Sequence, residues 1–249
     1  MIVAHALRSV MIGVAISCVV AGASLAQTKK EVDPKAAQAI ARVSAKLREL
    51  QRYTLDADVT TKTALATGGY RTFEGKAHYD VSKPSHLHAA VNGKNLRREV
   101  TYDGATLTVF APDRNVYARV AAPGTLPTVL QEVRRRAGFE LPIAEVLAWD
   151  SEAAVLQGAT RASFTGEALV RGTACRQYSY KRDGVSWELY VDGRGLLCKL
   201  SRVDTRDPGL PGYSAELTWN TDVRVDDARF TFTPPPGARE VAWEAIGEK

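Results

Sequence analysis

The sequence predicts a mainly β domain of the α+β type: a single curved antiparallel sheet, an incomplete β-barrel, with an N-terminal helix and a central helical insert covering its concave face. Three observations predict it. Apolar and polar residues alternate with period two from Tyr53 to Val120 and again from Tyr178 to Trp219. Asp-Gly pairs at 103–104 and 183–184 punctuate those stretches as tight hairpins. Between the two strand-rich halves, residues 125–150 carry apolar side chains at helical spacing. No linker rich in Gly, Ser or Pro divides the chain, so residues 27–249 are expected to form one half-barrel domain with a helical lid.

The elements follow in order. His5 and Arg8 precede an apolar run from Val10 to Val20 and the small-residue ending Ser24-Leu25-Ala26. That is the grammar of a secretory signal peptide over residues 1–26, cleaved after Ala26; an uncleaved anchor is the alternative. Cys18 follows Ala15-Ile16-Ser17, a poor lipoprotein cleavage box, so a soluble product is expected. Asp33 caps a helix with Pro34 in its first turn, and Ile40, Val43, Leu47 and Leu50 form the apolar stripe. Strands run through Tyr53, Leu55, Ala57 and Val59, then through Phe73, Ala77, Tyr79 and Val81. After a turn at Lys83-Pro84-Ser85 the next strand carries Leu87, Ala89 and Val91. Asp103-Gly104 pairs Tyr102 with Ala105, setting Val100 against Leu107 and Arg98 against Val109. The chain returns through Val116, Ala118 and Val120, making about six antiparallel strands.

Thr125 then caps a helix bearing Leu126, Val129, Leu130 and Val133, with Arg134-Arg135-Arg136 near its end and Gly138 as its stop. After Leu141-Pro142, the residues Ile143, Val146, Leu147 and Trp149 are apolar on too much of their circumference for a solvated helix. In the second half Asp183-Gly184 pairs Tyr180 with Trp187 and Tyr178 with Leu189. The loop at 192–195 sets Leu189 against Cys198 and Trp187 against Leu200. Tyr213, Ala215, Leu217 and Trp219 share one face of a further strand, and Phe230 and Phe232 precede Pro234-Pro235-Pro236.

Composition narrows the function. With 45% hydrophobic and 24% charged residues, 19 Gly and 11 Pro in 249, collagen-like, disordered and polytopic membrane classes are excluded. The net charge of +5, one cation of which is Arg8 in the leader, suits peripheral contact with anionic surfaces. Aromatics are not interleaved with basic residues in a recognition motif, which excludes nucleic acid as a partner. No Gly-x-Ser-x-Gly elbow, His-Glu-x-x-His helix or phosphate loop is present, so the chain is expected not to be an enzyme and to hold no cofactor.

The stretch Tyr102-Asp103-Gly104-Ala105-Thr106-Leu107-Thr108, then Tyr117, Ala122-Pro123-Gly124-Thr125, Leu141-Pro142-Ile143-Ala144 and Trp149 resemble the DUF2092 family of predicted periplasmic proteins. Gly172, Cys175, Trp187, Lys199, Trp219-Asn220 and the Phe230-to-Pro235 ending extend the resemblance over nearly the whole mature chain. That family is similar in layout to the lipoprotein carriers LolA and LolB, whose half-barrel is lidded by helices over an acyl-chain cavity. The resemblance implies a periplasmic, monomeric binding protein for a lipid, an acyl chain or a lipidated protein. It transfers no ligand residue.

Physically, a curved sheet cannot leave its apolar concave face in water, so the insert either completes a tight core or lids a cavity. The residues expected to line that space are Arg98, Leu107, Val129, Val133, Ile143, Leu147, Trp149, Tyr178, Tyr180, Trp187 and Trp219. Arg98, a charge on the apolar face, is read as a rim residue, with a latch to lid carbonyls or a contact to an anionic head group as the functional alternatives. His78, Asp80, His86 and His88 share the polar face, where solvation explains them better than a metal. Glu140 and Glu145 are expected to be solvated. By the predicted register Cys175 and Cys198 lie on opposite faces two strands apart, about 10 Å, which argues against a disulfide. Recognition of a hydrophobic segment of an envelope partner, and an unrecognised hydrolase, complete the alternatives.

Overall fold

The computed structural model describes residues 30–246 apart from 66, 95, 137–140 and 151–157. The expected leader, the Gly138 stop and Glu140 therefore lie outside the described residues. In chain order, β1 (Glu31–Val32) and α1 (Pro34–Glu49) lead into β2 (Arg52–Ala64), β3 (Tyr70–Ser82), β4 (His86–Gly93), β5 (Leu96–Tyr102), β6 (Thr106–Ala111) and β7 (Val116–Ala121). The insert follows as α2 (Leu126–Arg136) and a 3-10 turn (Ala144–Ala148). Then come β8 (Arg161–Val170), β9 (Thr173–Arg182), β10 (Val185–Val191), β11 (Leu197–Asp204), β12 (Gly212–Asn220) and β13 (Arg239–Glu240).

The 13 strands of the described residues form one unclosed sheet in the order β1-β8-β9-β10-β11-β12-β2-β3-β4-β5-β6-β7-β13. Two antiparallel meanders, β2–β7 and β8–β12, are sewn together where β12 returns to β2, as in Leu217↔Ala57. Each outer edge is closed by a two-residue parallel strand, β1 on β8 and β13 on β7, which leaves fewer unpaired backbone groups to aggregate. α1 starts where predicted, with the Asp33 carboxylate accepting from Lys35 N at 2.8 Å, and its stripe Ile40, Val43, Leu47 and Leu50 is buried. The concave faces of both meanders, α1, α2 and the 3-10 turn share one hydrophobic core.

The hairpin at 183–184 has the predicted register, with Trp187↔Tyr180 and Leu189↔Tyr178. Two others slide by two residues. At 103–104 the Asp103 carboxylate accepts from Ala105 N at 2.9 Å and Thr106 N at 2.7 Å, so the turn widens and Tyr102 pairs with Leu107 instead of Ala105. Around 192–195 the Asp192 carboxylate accepts from Arg194 N and Leu196 N, and Leu189 pairs with Leu200 rather than Cys198. Phe73, expected in the apolar wall, is 38% exposed because the β2–β3 hairpin projects beyond the end of β4.

Residues 221–246 form a strap with no counterpart in the sequence reading. The chain leaves β12, crosses the face of β4 and β5 opposite the helices, and pairs as β13 with the far edge. Phe230, 1% exposed, stacks on His86 with ring centroids 5.4 Å apart, and Phe232 packs between Phe110 and Tyr117. Arg52 holds the strap through Val225 O and Asp227, both at 3.0 Å. Ile246, fully buried, then hooks round the edge into the main core.

Candidate functional site

The concave face is the candidate site. Period-two alternation places Leu55, Tyr79, Val100, Leu107, Val109, Tyr180, Leu189 and Leu200 on its floor, each with no exposed surface. Against this floor the lid segment 126–150 sets Leu126, Val129, Val133, Leu141, Ile143, Val146, Leu147 and Trp149, all buried in the same core. The predicted lining residues Leu107, Val129, Val133, Ile143, Leu147, Trp149, Tyr178, Tyr180 and Trp187 are thus brought together. Trp219 packs at their margin, half-buried, with Nε1 donating to Leu197 O at 2.8 Å.

Hydroxyls of the floor hold the cover down. Tyr79 donates to Pro142 O and Tyr213 to the Glu145 carboxylate, both on the lid. Tyr102 donates to Gly124 O at 2.8 Å, just before α2, and Tyr180 to Ala36 O of α1 at 2.8 Å. Burial raises the pKa of Tyr79, Tyr102 and Tyr180, so each keeps its proton and remains a donor. The β3–β4 turn ties both helices: Lys83 donates to Leu47 O at the end of α1, and Pro84 O accepts from Leu126 N at the start of α2. Arg48 Nη1 closes the far end on Asp150 O at 2.6 Å. Inside the lid Ile143 has φ 55°, a left-handed conformation that is an outlier for a β-branched residue. Sequence reading missed these latches, although a tyrosine on an apolar face signals a buried donor in need of an acceptor. Glu145 is correspondingly not a solvated bystander.

Arg98 lies on the concave face as predicted, but it is 7% exposed rather than a solvated rim residue. It sits opposite Val91, and the β5–β6 ladder begins one residue later with Glu99↔Phe110, so Val109 is not its partner. Nor is it a lid latch: Nη1 donates to Arg97 O at 2.8 Å.

On the opposite face His78, Asp80 and His88 converge as predicted, yet beneath the strap. Asp80, 4% exposed, meets His78 Nε2 at 3.1 Å, His88 Nδ1 at 3.2 Å and Arg229 of the strap at 2.9 Å. Burial alone would raise the Asp80 pKa; the hydrogen bonds from His78, His88 and Arg229 outweigh it and hold the carboxyl well below the usual range. The bond to Asp80 pushes His78 up to about 9, against burial and with help from Asp56 at 2.7 Å. His86 stands apart on Phe230, and no group of three His, Cys, Asp or Glu side chains placed to hold a metal ion occurs among the described residues.

Cys175 and Cys198 form a disulfide, with Cα atoms 6.7 Å apart, against the sequence expectation. The ladder steps from Tyr190↔Lys199 to Val191↔Leu197, leaving Cys198 as the extra residue of a bulge. A bulge re-aims its side chain, here to the face of Cys175, where both join Val170 in a small cluster separate from the main core.

The family model described as "predicted periplasmic protein (DUF2092)" matches residues 36–243. No curated protein matches in sequence. Among solved structures, LprF from Mycobacterium bovis is 16% identical with a TM-score of 0.49, covering 83% of this chain and 98% of its own. The MucA/MucB complex of Pseudomonas aeruginosa is 13% identical with a TM-score of 0.46, covering 80% of this chain; this chain spans only 61% of the matched one. A putative outer membrane lipoprotein-sorting protein domain from Vibrio parahaemolyticus is 10% identical with a TM-score of 0.35, covering 79% of this chain and 96% of its own.

Proposed function

This chain belongs to the DUF2092 family of predicted periplasmic proteins, and from that premise we propose that it is a non-enzymatic binding protein that takes an acyl chain between its sheet and its lid. The acyl chain belongs to a lipid or a lipidated protein. One observation carries the reading: the apolar floor is covered by a segment, 126–150, whose described residues contribute no strand to the sheet and are held at their polar points largely by single side-chain contacts. Lifting that segment uncovers a continuous apolar trough without breaking a ladder. The acyl chain would replace the lid's apolar residues against Leu107, Tyr180 and Leu189. Burial supplies about 0.8 kcal/mol per methylene, so affinity should rise about 15-fold for every two carbons added.

Mass spectrometry of the protein purified gently from periplasm, native and then solvent-extracted, tests this. A stoichiometric lipid or acylated peptide is expected. An empty protein that also takes up no fluorescent fatty acid overturns the reading, and retention of an unacylated protein replaces it with recognition of an envelope partner.

A further inference from the structure

Two guanidinium groups, Arg98 buried and Arg114 half-buried, stand where β5 meets the turn between β6 and β7. Arg98, the third residue of β5, is flanked by exposed Leu96 and Arg97 on one side and buried Val100 on the other. Its Nη1 donates to Arg97 O at 2.8 Å, but its fully buried Nε meets no acceptor, and no carboxylate among the described residues ion-pairs with it. Asp113, the acid whose charge it feels, pairs instead with Arg97 at 3.6 Å. Arg114, in the turn between β6 and β7, donates through Nη2 to Ala245 O at 2.9 Å and Ile246 O at 3.1 Å, where the strap hooks into the core. Its Nε is likewise buried and unpartnered. Burial, and then the charge of Arg114, lower the pKa of Arg98. A guanidinium stripped of water is unfavourable without a counter-charge, and a second one nearby adds repulsion. An anion relieves both, and the edge of a guanidinium fork fits a carboxylate or phosphate.

We infer that Arg98 and Arg114 form a receptor for an anionic group, a carboxylate or a phosphate, at the rim of the concave trough. This deepens the acyl-binding proposal and rests on it only for what the anion is attached to. A chain lying under the lid would place its charged end here; a free anion would occupy the site alone.

The test compares palmitate, methyl palmitate and inorganic phosphate on the delipidated protein, by displacement of a fluorescent acyl probe and by thermal shift. Palmitate should displace the probe at a concentration at least tenfold below that of its methyl ester. Arg98→Met and Arg114→Met should erase that difference and leave the ester unchanged. Arg98→Met should also melt no lower than the parent, since it removes an uncompensated buried charge, so a loss of preference is not a loss of fold. Equal affinity for acid and ester in the parent, or a preference that survives both substitutions, overturns the inference while the acyl proposal stands. If neither acyl compound binds but phosphate raises the melting temperature only when Arg98 is present, the anion site stands alone. If none of the three binds, both ideas fall.

Discussion

Replacing Tyr79 by Phe isolates the lid latch. The ring is fully buried in the floor and stays in place, so the substitution removes only the hydroxyl that donates to Pro142 O. With the lid down, that carbonyl loses its partner away from water, at a cost of about 1–3 kcal/mol; with the lid up, water satisfies it. The closed form is therefore weakened selectively, and the lid should open roughly 5- to 150-fold more often. Native-state hydrogen exchange reads this directly at Ala144, Val146 and Trp149, whose amides bond within the lid to Leu141 O, Ile143 O and Val146 O. Their exchange should accelerate by that factor while the β3 amides stay protected. Uptake of a fluorescent fatty acid should quicken in parallel if opening limits entry. Unchanged exchange at the three lid amides refutes the latch. Equal acceleration in lid and sheet refutes its locality, because the bond would then be supporting the whole core.

Two further outcomes follow from contacts away from the trough. The disulfide closes a loop with a sequence separation of 23, so Cys175→Ser with Cys198→Ser should lose about 3 kcal/mol in urea unfolding, and reductant should do the same to the parent; equal midpoints would mean that the loop is not constrained. His78 is raised from 6.5 to about 9 in the folded protein, so its contribution to stability is full below pH 6.5 and lost as pH rises through about 9. His78→Asn should flatten the stability profile across that window, and a slope that persists there in the variant would assign the titration elsewhere.

Which residues lie on the concave face of the sheet was legible in the sequence, and the reason is the period of a strand. Two predicted registers were displaced by two residues, and an even displacement leaves every side chain on its own face. Leu107, Tyr178, Tyr180, Trp187 and Leu189 therefore share the core on the concave face although Leu107 meets Tyr102 rather than Val100. Conclusions that needed a specific partner did not survive. Alternation alone sets Arg98 against Val109, and it argues against the disulfide through the register of Cys198, where a single bulge residue reverses the parity. The strap was illegible for a different reason. Residues 221–246 carry little periodicity, and what they cover reads as a wet surface: Asp80, Ser82, Thr101 and Thr108 are polar, yet none is more than 6% exposed. Local alternation tells polar from apolar faces and says nothing about a distant segment laid over the polar one.

The strap bears on where a ligand would enter. It closes the back of β3–β7 with the Arg229–Asp80 ion pair, buried Phe230 and the β13 ladder, and its end is gripped by Arg114. α1 is fixed at both ends: Asp33 accepts from Phe164 N beside the β1–β8 pair, and Lys83 holds Leu47 O. The described residues of the lid join no ladder, and they hold Ile143 in a left-handed conformation whose strain, of the order of 1–3 kcal/mol, is released when the segment lifts. Its latches are hydroxyls and a guanidinium, groups that water can satisfy once they part. Of the three covers, the lid is therefore the one whose polar contacts water can replace without breaking a strand pairing of its described residues, while its buried apolar side chains are what an acyl chain would have to replace. Entry through the lid keeps both edges of the sheet sealed, and it leaves Arg98 and Arg114 in place at the rim to meet whatever charge the incoming chain carries.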